Sequence, residues 1–474
     1  MKLTFGTDGW RDVIAEGFTV ANVRRVAQAH ASTILASGGQ HVLVAHDTRF
    51  LGERFARAAA DTLQNVGLNV TLLGTVPTPA LSWAVRDLRA AGGIMITASH
   101  NPSPYQGYKL KGPYGGGATP ALVAQVQAQM DVPVEARQPG RQDAADIRLP
   151  YLHALGRLID PAALRRAALP LYHDAMHGAA GGWLRSFADI HNLQVPVHEL
   201  RAIPDPLFGG VNPEPIPSNL EVTRRAMQDA ARPTFAMVTD GDADRIGAVL
   251  AGGQYFNSHQ IFAVLLHHLA RRGLRGRVVK TVSTSGIIDR LAALHGLEVV
   301  QTPVGFKYIT EAFLAGESDP AQRVLIGGEE SGGIGIQGHV PERDGLLNGL
   351  LLQEAVAVTG MGLDDQFAEI ERLTGWSHHY DRLDLHLPGE LDRLSLLEDA
   401  GQQRRLLNHV IEEVVTLDGV KLSFPGGFAM IRPSGTEPVV RLYVEAPSPS
   451  DVALLLDKLR VLTLKHTRDN FPKN

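Results

Sequence analysis

Residues 94–109 read Ile-Met-Ile-Thr-Ala-Ser-His-Asn-Pro-Ser-Pro-Tyr-Gln-Gly-Tyr-Lys. Ile94-Met95-Ile96 is an apolar run of strand length, and polar residues begin directly behind it. Ser99 therefore stands where a buried strand ends and a loop begins, which is where an α/β sheet presents its chemistry. A serine hydroxyl held there, beside His100 and with Lys109 ten positions on, can carry a covalently bound group. Taken alone, Ser99-His100-Asn101-Pro102 reads equally well as an Asx/Pro turn.

The flanking sequence decides the setting. Thr19 caps a helical pattern through Val23, Val26, Ala27 and Ile34, stopped by Gly38-Gly39. His41–Ala45 follows as a strand, 52–66 as a helix, Asn69–Leu73 as a strand, and 80–90 as a helix leading into Ile94-Met95-Ile96. Strand and helix in alternation predict a parallel sheet covered on both faces. The pattern returns downstream: helical 261–271, strand Val278-Val279, helical 287–295, strand Val299-Val300 and strand Val324-Leu325-Ile326.

Three apolar strands end in polar, glycine-containing loops: Ile94–Ile96 before Ser99, Phe235–Val238 before Asp240, and Val324–Ile326 before Glu329. This predicts three related α/β units whose strand ends face one cleft. Residues 137–146 are polar and poor in aliphatics and read as a linker. Pro204–Pro217 holds five prolines and reads as an extended loop, and Gly360–Gly375 marks the start of a last, smaller unit. The expected domains are 1–145, 146–252, 253–362 and 363–474. A chain of 474 residues is too long for one hydrophobic core.

Bulk composition narrows the function. A net charge of −5 argues against nucleic acid as the main partner, so any bound anion needs a local positive site. The absence of cysteine excludes disulfides, thiolate metal sites and cysteine nucleophiles. The first residues carry no apolar signal core, and no apolar run is long enough to span a membrane. A cytoplasmic enzyme is the expectation, with no membrane partner.

Asp240-Gly241-Asp242-Ala243-Asp244-Arg245 places three carboxylates at alternate positions, where they can converge on one hard cation. An EF-hand would need glycine and an acid at the positions of Arg245 and Ala251, so that motif is excluded. Few carboxylates beside a phosphate oxygen favour Mg²⁺, which can polarise a phosphoryl group on Ser99. Gly327-Gly328-Glu329-Glu330-Ser331-Gly332-Gly333 puts a carboxylate and a hydroxyl two positions apart on a pliant loop, suited to neighbouring hydroxyls of a sugar. Gly333, Gly335 and Gly338 match a dinucleotide fingerprint only formally, because no helix pattern opens there. Arg432, Ser434, Gly435 and Thr436 offer a guanidinium, two hydroxyls and backbone N–H groups in one tight loop, a nest for phosphate. Arg11, on the glycine-rich Gly6–Arg11 stretch, is a candidate second phosphate contact; Gly305-Phe306-Lys307 and Glu342-Arg343-Asp344-Gly345 add charge near the sugar loop. His173 and His177 are spaced as on a helix but lack the glutamate of a zinc protease. His267-His268 and His378-His379 read as surface or boundary residues.

A nucleophilic serine, a metal triad, a sugar loop and a phosphate nest together describe phosphoryl transfer on a phosphosugar. The whole chain resembles the α-D-phosphohexomutase family, from Gly6-Thr7-Asp8-Gly9-Trp10-Arg11 to Arg432-Pro433-Ser434-Gly435-Thr436-Glu437. The resemblance implies three similar α/β domains with mixed, mostly parallel sheets and a smaller C-terminal α+β domain around a central cleft. It implies that Ser99 is phosphorylated and that Asp240, Asp242 and Asp244 hold Mg²⁺ together with that phosphate. It implies Lys109 at the reacting oxygens, with Arg11, His100 and Arg245 beside it. Glu329 and Ser331 would take the sugar hydroxyls. Gly305, Lys307 and Arg343 would complete the substrate loops, Arg343 standing where glucose-preferring relatives tend to carry lysine. Arg432, Ser434, Gly435 and Thr436 would grip the non-reacting phosphate.

The implied reaction interconverts hexose 1-phosphate and hexose 6-phosphate through a hexose 1,6-bisphosphate, which also primes the enzyme, in a monomer or homodimer. The Glu329-Glu330-Ser331-Gly332 variant resembles the glucose-preferring branch, so phosphoglucomutase ranks before phosphomannomutase and phosphoglucosamine mutase. A metal-dependent sugar-phosphate phosphatase and a non-catalytic sugar-phosphate-binding paralogue are the alternatives from other classes.

Overall fold

The structure is a computed structural model. It describes Leu3, Phe5, Gly6 and residues 9–134, 137–434 and 439–469. Two compact units emerge: Met1–Arg277 with Gly305–Gln366, and Val278–Val304 with Phe367–Asn474.

The first unit opens with a six-stranded sheet of β1 (Trp10–Val13), β2 (His41–His46), β3 (Asn69–Thr75), β4 (Gly92–Ile96), β5 (Tyr105–Lys111) and β6 (Gln142–Ala144), in the order β1-β5-β4-β2-β3-β6. β2, β3, β4 and β6 run parallel. β5 runs antiparallel to β4, and β1 pairs antiparallel to β5 at the sheet edge. Helix α1 (Val20–Ala36) is capped by the Thr19 side chain on Asn22 N, as the sequence predicts, and buries Val23, Val26, Ala27 and Ile34. With α2 (Gly52–Asn65) it covers one face of the sheet, where Trp10 stacks on Phe18 at 4.5 Å and Phe18 meets Phe55 edge-on at 4.8 Å. Burying each such ring stabilises the fold by about 1.5–3 kcal/mol. β4 is buried along its whole length, which explains its uninterrupted apolar character.

The second sheet joins β7 (Leu171–Asp174), β8 (Val197–Leu200), β9 (Phe235–Thr239), β10 (Ile246–Leu250) and β11 (Tyr255–Phe256) in the order β11-β10-β9-β7-β8. A further antiparallel pair, Val324–Gly328 with Ile334–Ile336, lies in the same unit. A common plan is visible in the three chemistry-bearing loops. Each joins a buried strand to an antiparallel return: Ser99 between β4 and β5, Asp240–Asp244 between β9 and β10, and Glu329–Gly333 between Val324–Gly328 and Ile334–Ile336.

The second unit carries the parallel pair at Val278 and Val299. It also holds an antiparallel sheet of His379–His386, Val439–Ala446, Gly427–Pro433, Val420–Phe424 and Glu413–Val415. Helix Pro449–Lys465 buries Leu455 and Leu459 in the same core as Leu422, Ile431 and Leu442. Among the described residues, no single helix is long and apolar enough to cross a membrane.

Several local expectations change. The stretch read as a linker contains β6, a strand too short to show a period, paired with β3 on the sheet edge. His173 lies on β7 rather than on a helix, and its Nε2 meets Thr239 Oγ1 at 3.0 Å. His268 and His378 are not surface residues. Both are buried, against Glu354 at 3.1 Å and Glu445 at 2.7 Å, because a long-range carboxylate satisfies each ring.

Candidate active site

Ser99 follows β4 with φ 53°, a left-handed conformation that costs a serine about 1–3 kcal/mol. Its hydroxyl is buried and donates to Asp240 Oδ2 at 2.8 Å. His100 Nδ1 lies 3.4 Å from Ser99 Oγ. Burial, reinforced by Arg245, Arg11, Lys109 and Arg49, pushes that imidazole well below its usual range, so it is neutral at physiological pH. Arg11, on β1, donates to Asn101 Oδ1 at 2.7 Å and so reaches the serine loop.

Asp240, Asp242 and Asp244 are all buried, with one ligand oxygen of each lying within 4.8 Å of the others. Lys109, on β5, sends Nζ to Asp242 Oδ2 and Asp244 Oδ2, both at 2.8 Å. Asp244 also pairs with Arg343 Nη2 at 2.6 Å, and Thr78 Oγ1 donates to Asp242 Oδ2 at 2.5 Å. Burial, with Asp242 and Asp244 adding like charge, drives Asp240 well above the usual carboxylate range. Burial would raise Asp244 too, but Arg343, Lys109 and Arg245 outweigh it and hold that carboxyl well below its usual range.

The donor set fits a hard divalent cation. Asp242 Oδ1 and Asp244 Oδ1 are buried and receive no hydrogen bond from any described residue. Carboxylate oxygens that accept no hydrogen bond in a dry site are costly unless a cation takes them. An all-oxygen set of this kind suits Mg²⁺ or a similar ion.

Glu329 lies beside this cluster. Its Oε2 is 3.3 Å from Arg343 Nη1, so one guanidinium bridges the acidic loop and the Glu329 loop. Burial raises Glu329 to about 7, and Arg343 offsets part of the rise. Arg343 rests on the ring of Phe306 at 5.3 Å, which brings the helix start at Gly305-Phe306-Lys307 to the site. Arg245 approaches Asp244 at 4.0 Å and Glu214 at 3.7 Å. Ser331 shares the turn with Glu329, which Gly333 closes through its carbonyl to Glu329 N at 3.0 Å.

Arg432 and Ser434 belong to the second unit. There Arg432 Nε donates to Asp418 Oδ2 at 2.8 Å, and Asp418 also accepts from Val304 N at 3.0 Å. Gly435 and Thr436 lie outside the described residues.

Four matches to one family span the chain. Models of phosphoglucomutase/phosphomannomutase α/β/α domains I, II and III match residues 2–135, 150–253 and 257–373, and the model of its C-terminal domain matches 394–461. The chain belongs to the phosphoglucomutase/phosphomannomutase family. It is therefore an isomerase of the α-D-phosphohexomutase group, with the expected four-domain plan. A phosphoglucomutase/phosphomannomutase of Thermococcus kodakarensis is 30% identical, the match covering 94% of this chain and 95% of that one. A phosphoglucosamine mutase of Clavibacter sepedonicus is 32% identical, with 94% and 95% covered. A crystal structure from Thermus thermophilus, provisionally called a phosphomannomutase, superposes with a TM-score of 0.88 at 46% identity, covering 98% and 99%.

Residues given no role in the sequence reading buttress this candidate site. Glu342 accepts from buried Lys111 and from Arg343 N at 3.0 Å, so a second lysine of β5 helps to seat Arg343. Just past the end of β2, Arg49 holds the backbone of the serine loop and Asp47 accepts from the Thr97 hydroxyl. The available signal was His46-Asp47-Thr48-Arg49, a polar cluster behind a buried strand, the same pattern that exposed Ser99.

Proposed function

We propose that this phosphohexomutase interconverts hexose 1-phosphate and hexose 6-phosphate, with glucose preferred, using Ser99 as the phosphoryl carrier. The observation that carries this reading is the 2.8 Å contact of Ser99 Oγ with Asp240, inside a buried triad tied to Lys109 and Arg343. In the forward step the P–Oγ bond of phosphorylated Ser99 breaks as a bond to the free sugar hydroxyl oxygen forms. Overall, phosphoryl group and proton exchange places between serine and sugar. The resulting hexose 1,6-bisphosphate returns its other phosphate to Ser99.

Asp240, Asp242 and Asp244 would hold Mg²⁺, which when bound neutralises charge on the phosphoryl oxygens. Lys109, Arg245 and Arg11 supply fixed positive charge around the same group, the main contribution to phosphoryl-transfer catalysis. Neutral His100 adds a hydrogen-bonding group next to Oγ without repelling a cation. Glu329 and Ser331 take adjacent sugar hydroxyls, with Gly305, Lys307 and Arg343 lining the same substrate loops. Arg432, Ser434, Gly435 and Thr436 hold the phosphate that does not react.

A coupled assay tests this reading with glucose, mannose and glucosamine 1-phosphates, with and without Mg²⁺ and a bisphosphate primer. Glucose 1-phosphate turns over fastest, chelation abolishes turnover, and Ser99→Ala is inactive. Full turnover by Ser99→Ala would overturn the mechanism, and a clear preference for glucosamine 1-phosphate would overturn the assigned sugar.

A further inference from the structure

Ser99 sits in a strained backbone conformation, and its loop has little regular structure of its own. Arg49 supplies what that loop lacks. Its side chain is completely buried, and its guanidinium faces four main-chain carbonyls of the serine loop. Nη2 donates to Ser99 O and Asn101 O, both at 2.6 Å. Nη1 donates to Pro102 O at 2.9 Å and Tyr105 O at 3.1 Å. The loop is thus wound around one guanidinium, with the Phe208 ring 4.8 Å from its centre. Residues 99–105 satisfy carbonyls on Arg49 that β-pairing would otherwise satisfy.

The N–H side of the same serine is held from the same strand end. Ser99 N donates to Thr97 Oγ1 at 2.9 Å, and Thr97 Oγ1 donates to Asp47 Oδ2 at 2.5 Å. Asp47 Oδ1 accepts from Arg49 N at 2.9 Å, and its Oδ2 lies 3.3 Å from Arg49 Nε. Both peptide groups flanking Ser99 Cα are therefore tied to Asp47-Thr48-Arg49. The intervening Thr48 donates to His177 O at 2.9 Å, and two residues on Ala179 N donates to Gly241 O at 2.9 Å. Gly241 lies between two metal-site aspartates, and a Cβ there would meet Ser99 O at 2.7 Å. The carbonyl that Arg49 grips is thus the one against which the acidic loop packs.

We propose that Arg49 is the positioning residue of the phosphoryl-carrying serine, setting the distance between Ser99 Oγ and the aspartate triad by holding the Ser99 carbonyl. The proposal rests on the reading of Ser99 as carrier. A buried guanidinium whose partners are mostly neutral carbonyls is a costly way to stabilise a loop. Its planar fork nevertheless spans carbonyls on two sides, which the point charge of lysine does not. Arg49 touches no reacting atom, so its loss should change the rate of transfer and leave affinity for hexose phosphate alone.

The test uses Arg49→Lys and Thr97→Val in the full chain. It measures steady-state kcat and KM, single-turnover transfer from phosphorylated Ser99, and hexose-phosphate Kd by calorimetry. Arg49→Lys lowers kcat and the transfer rate about 100-fold, the cost of an ångström-scale misplacement, with KM and Kd within about threefold of the parent. Thr97→Val, nearly isosteric and acting on the opposite peptide group, lowers the transfer rate about tenfold with Kd unchanged. A folded Arg49→Lys protein with parental kcat, or one that loses affinity at unchanged kcat, overturns the proposal. If Arg49→Lys does not fold, Thr97→Val decides, and a parental transfer rate overturns it. Failure of the carrier reading looks different: the parent protein itself would acquire no phosphate on Ser99 from glucose 1,6-bisphosphate.

Discussion

Replacing Lys109 by methionine isolates the electrostatics of the site. The side chain is buried, and Nζ lies 2.8 Å from carboxylates of both Asp242 and Asp244. Methionine keeps the bulk of the stem and removes the charge. Breaking a buried pair by deleting one partner costs about 3–5 kcal/mol, because the remaining charge stays desolvated. Arg343 still covers Asp244, whereas Asp242 retains the Thr78 hydroxyl at Oδ2. At about 2.1 cal/mol/K per residue a unit of this size shifts by only about 1.4 °C per kcal/mol, so melting of the first unit in EDTA falls by roughly 6 °C.

Magnesium reverses much of that loss. A ligand at one hundred times its Kd returns about 2.7 kcal/mol. The cation also no longer competes with an ammonium for the same carboxylates. Two unit charges 4 Å apart interact by about 4 kcal/mol at an effective dielectric of 20, so even partial relief tightens Mg²⁺ binding by roughly tenfold. Turnover nevertheless falls by about 100-fold or more, since the transferring group loses a fixed cation. Scanning calorimetry in EDTA and across a magnesium series, with titration calorimetry for affinity, measures each part. Parental stability in EDTA, or weaker Mg²⁺ binding by the variant, would refute the reasoning.

Two buried carboxylates give opposite pH slopes. Glu329, raised to about 7 by burial, binds its proton more tightly folded than unfolded. Its contribution is therefore full below pH 4.5 and is lost as pH rises through 7; Glu329→Gln removes up to about 3 kcal/mol of that decline, read from urea melts at pH 5 and pH 8. Parallel stability–pH curves for parent and variant would count against it. Burial would also raise Glu445, but hydrogen bonds and charge from His378, together with Ser285 and Gly286 N, outweigh it and hold the carboxyl at about 2. Its contribution is full above pH 4.5 and is lost as pH falls toward 2, so the second unit of the parent sheds about 3 kcal/mol across that window while Glu445→Gln does not. Acid titration followed by tryptophan fluorescence checks it, Trp376 Nε1 lying 3.1 Å from Glu445 Oε1.

The chemistry-bearing loops were legible because their signals are local. A buried strand needs a short apolar run, and a loop at its end needs polar and glycine residues, so Ser99, Asp240–Asp244 and Glu329 announced themselves within a few positions. Lys109 was legible as a lysine ten positions after Ser99, but its partner was not, because the Asp242 it contacts lies 133 residues away. Arg343, given a substrate role by that resemblance, is also the tie between two loops, which its neighbours in sequence do not reveal. Short β6 left no periodicity to find, and His268 and His378 looked exposed because their carboxylate partners lie 86 and 67 residues away.

The strand–helix alternation over residues 19–101 and 261–326, the three polar loops and the candidate carrier and metal ligands were legible in the sequence alone, since backbone period and turn chemistry act over a few residues. Only the tertiary structure decided which buried charges meet: Lys109 with the triad, Lys111 with Glu342 across 231 positions, and Arg49 with the serine loop across 50. A desolvated charge must find its partner wherever the packed fold brings one within about 3 Å, and no local pattern encodes that distance.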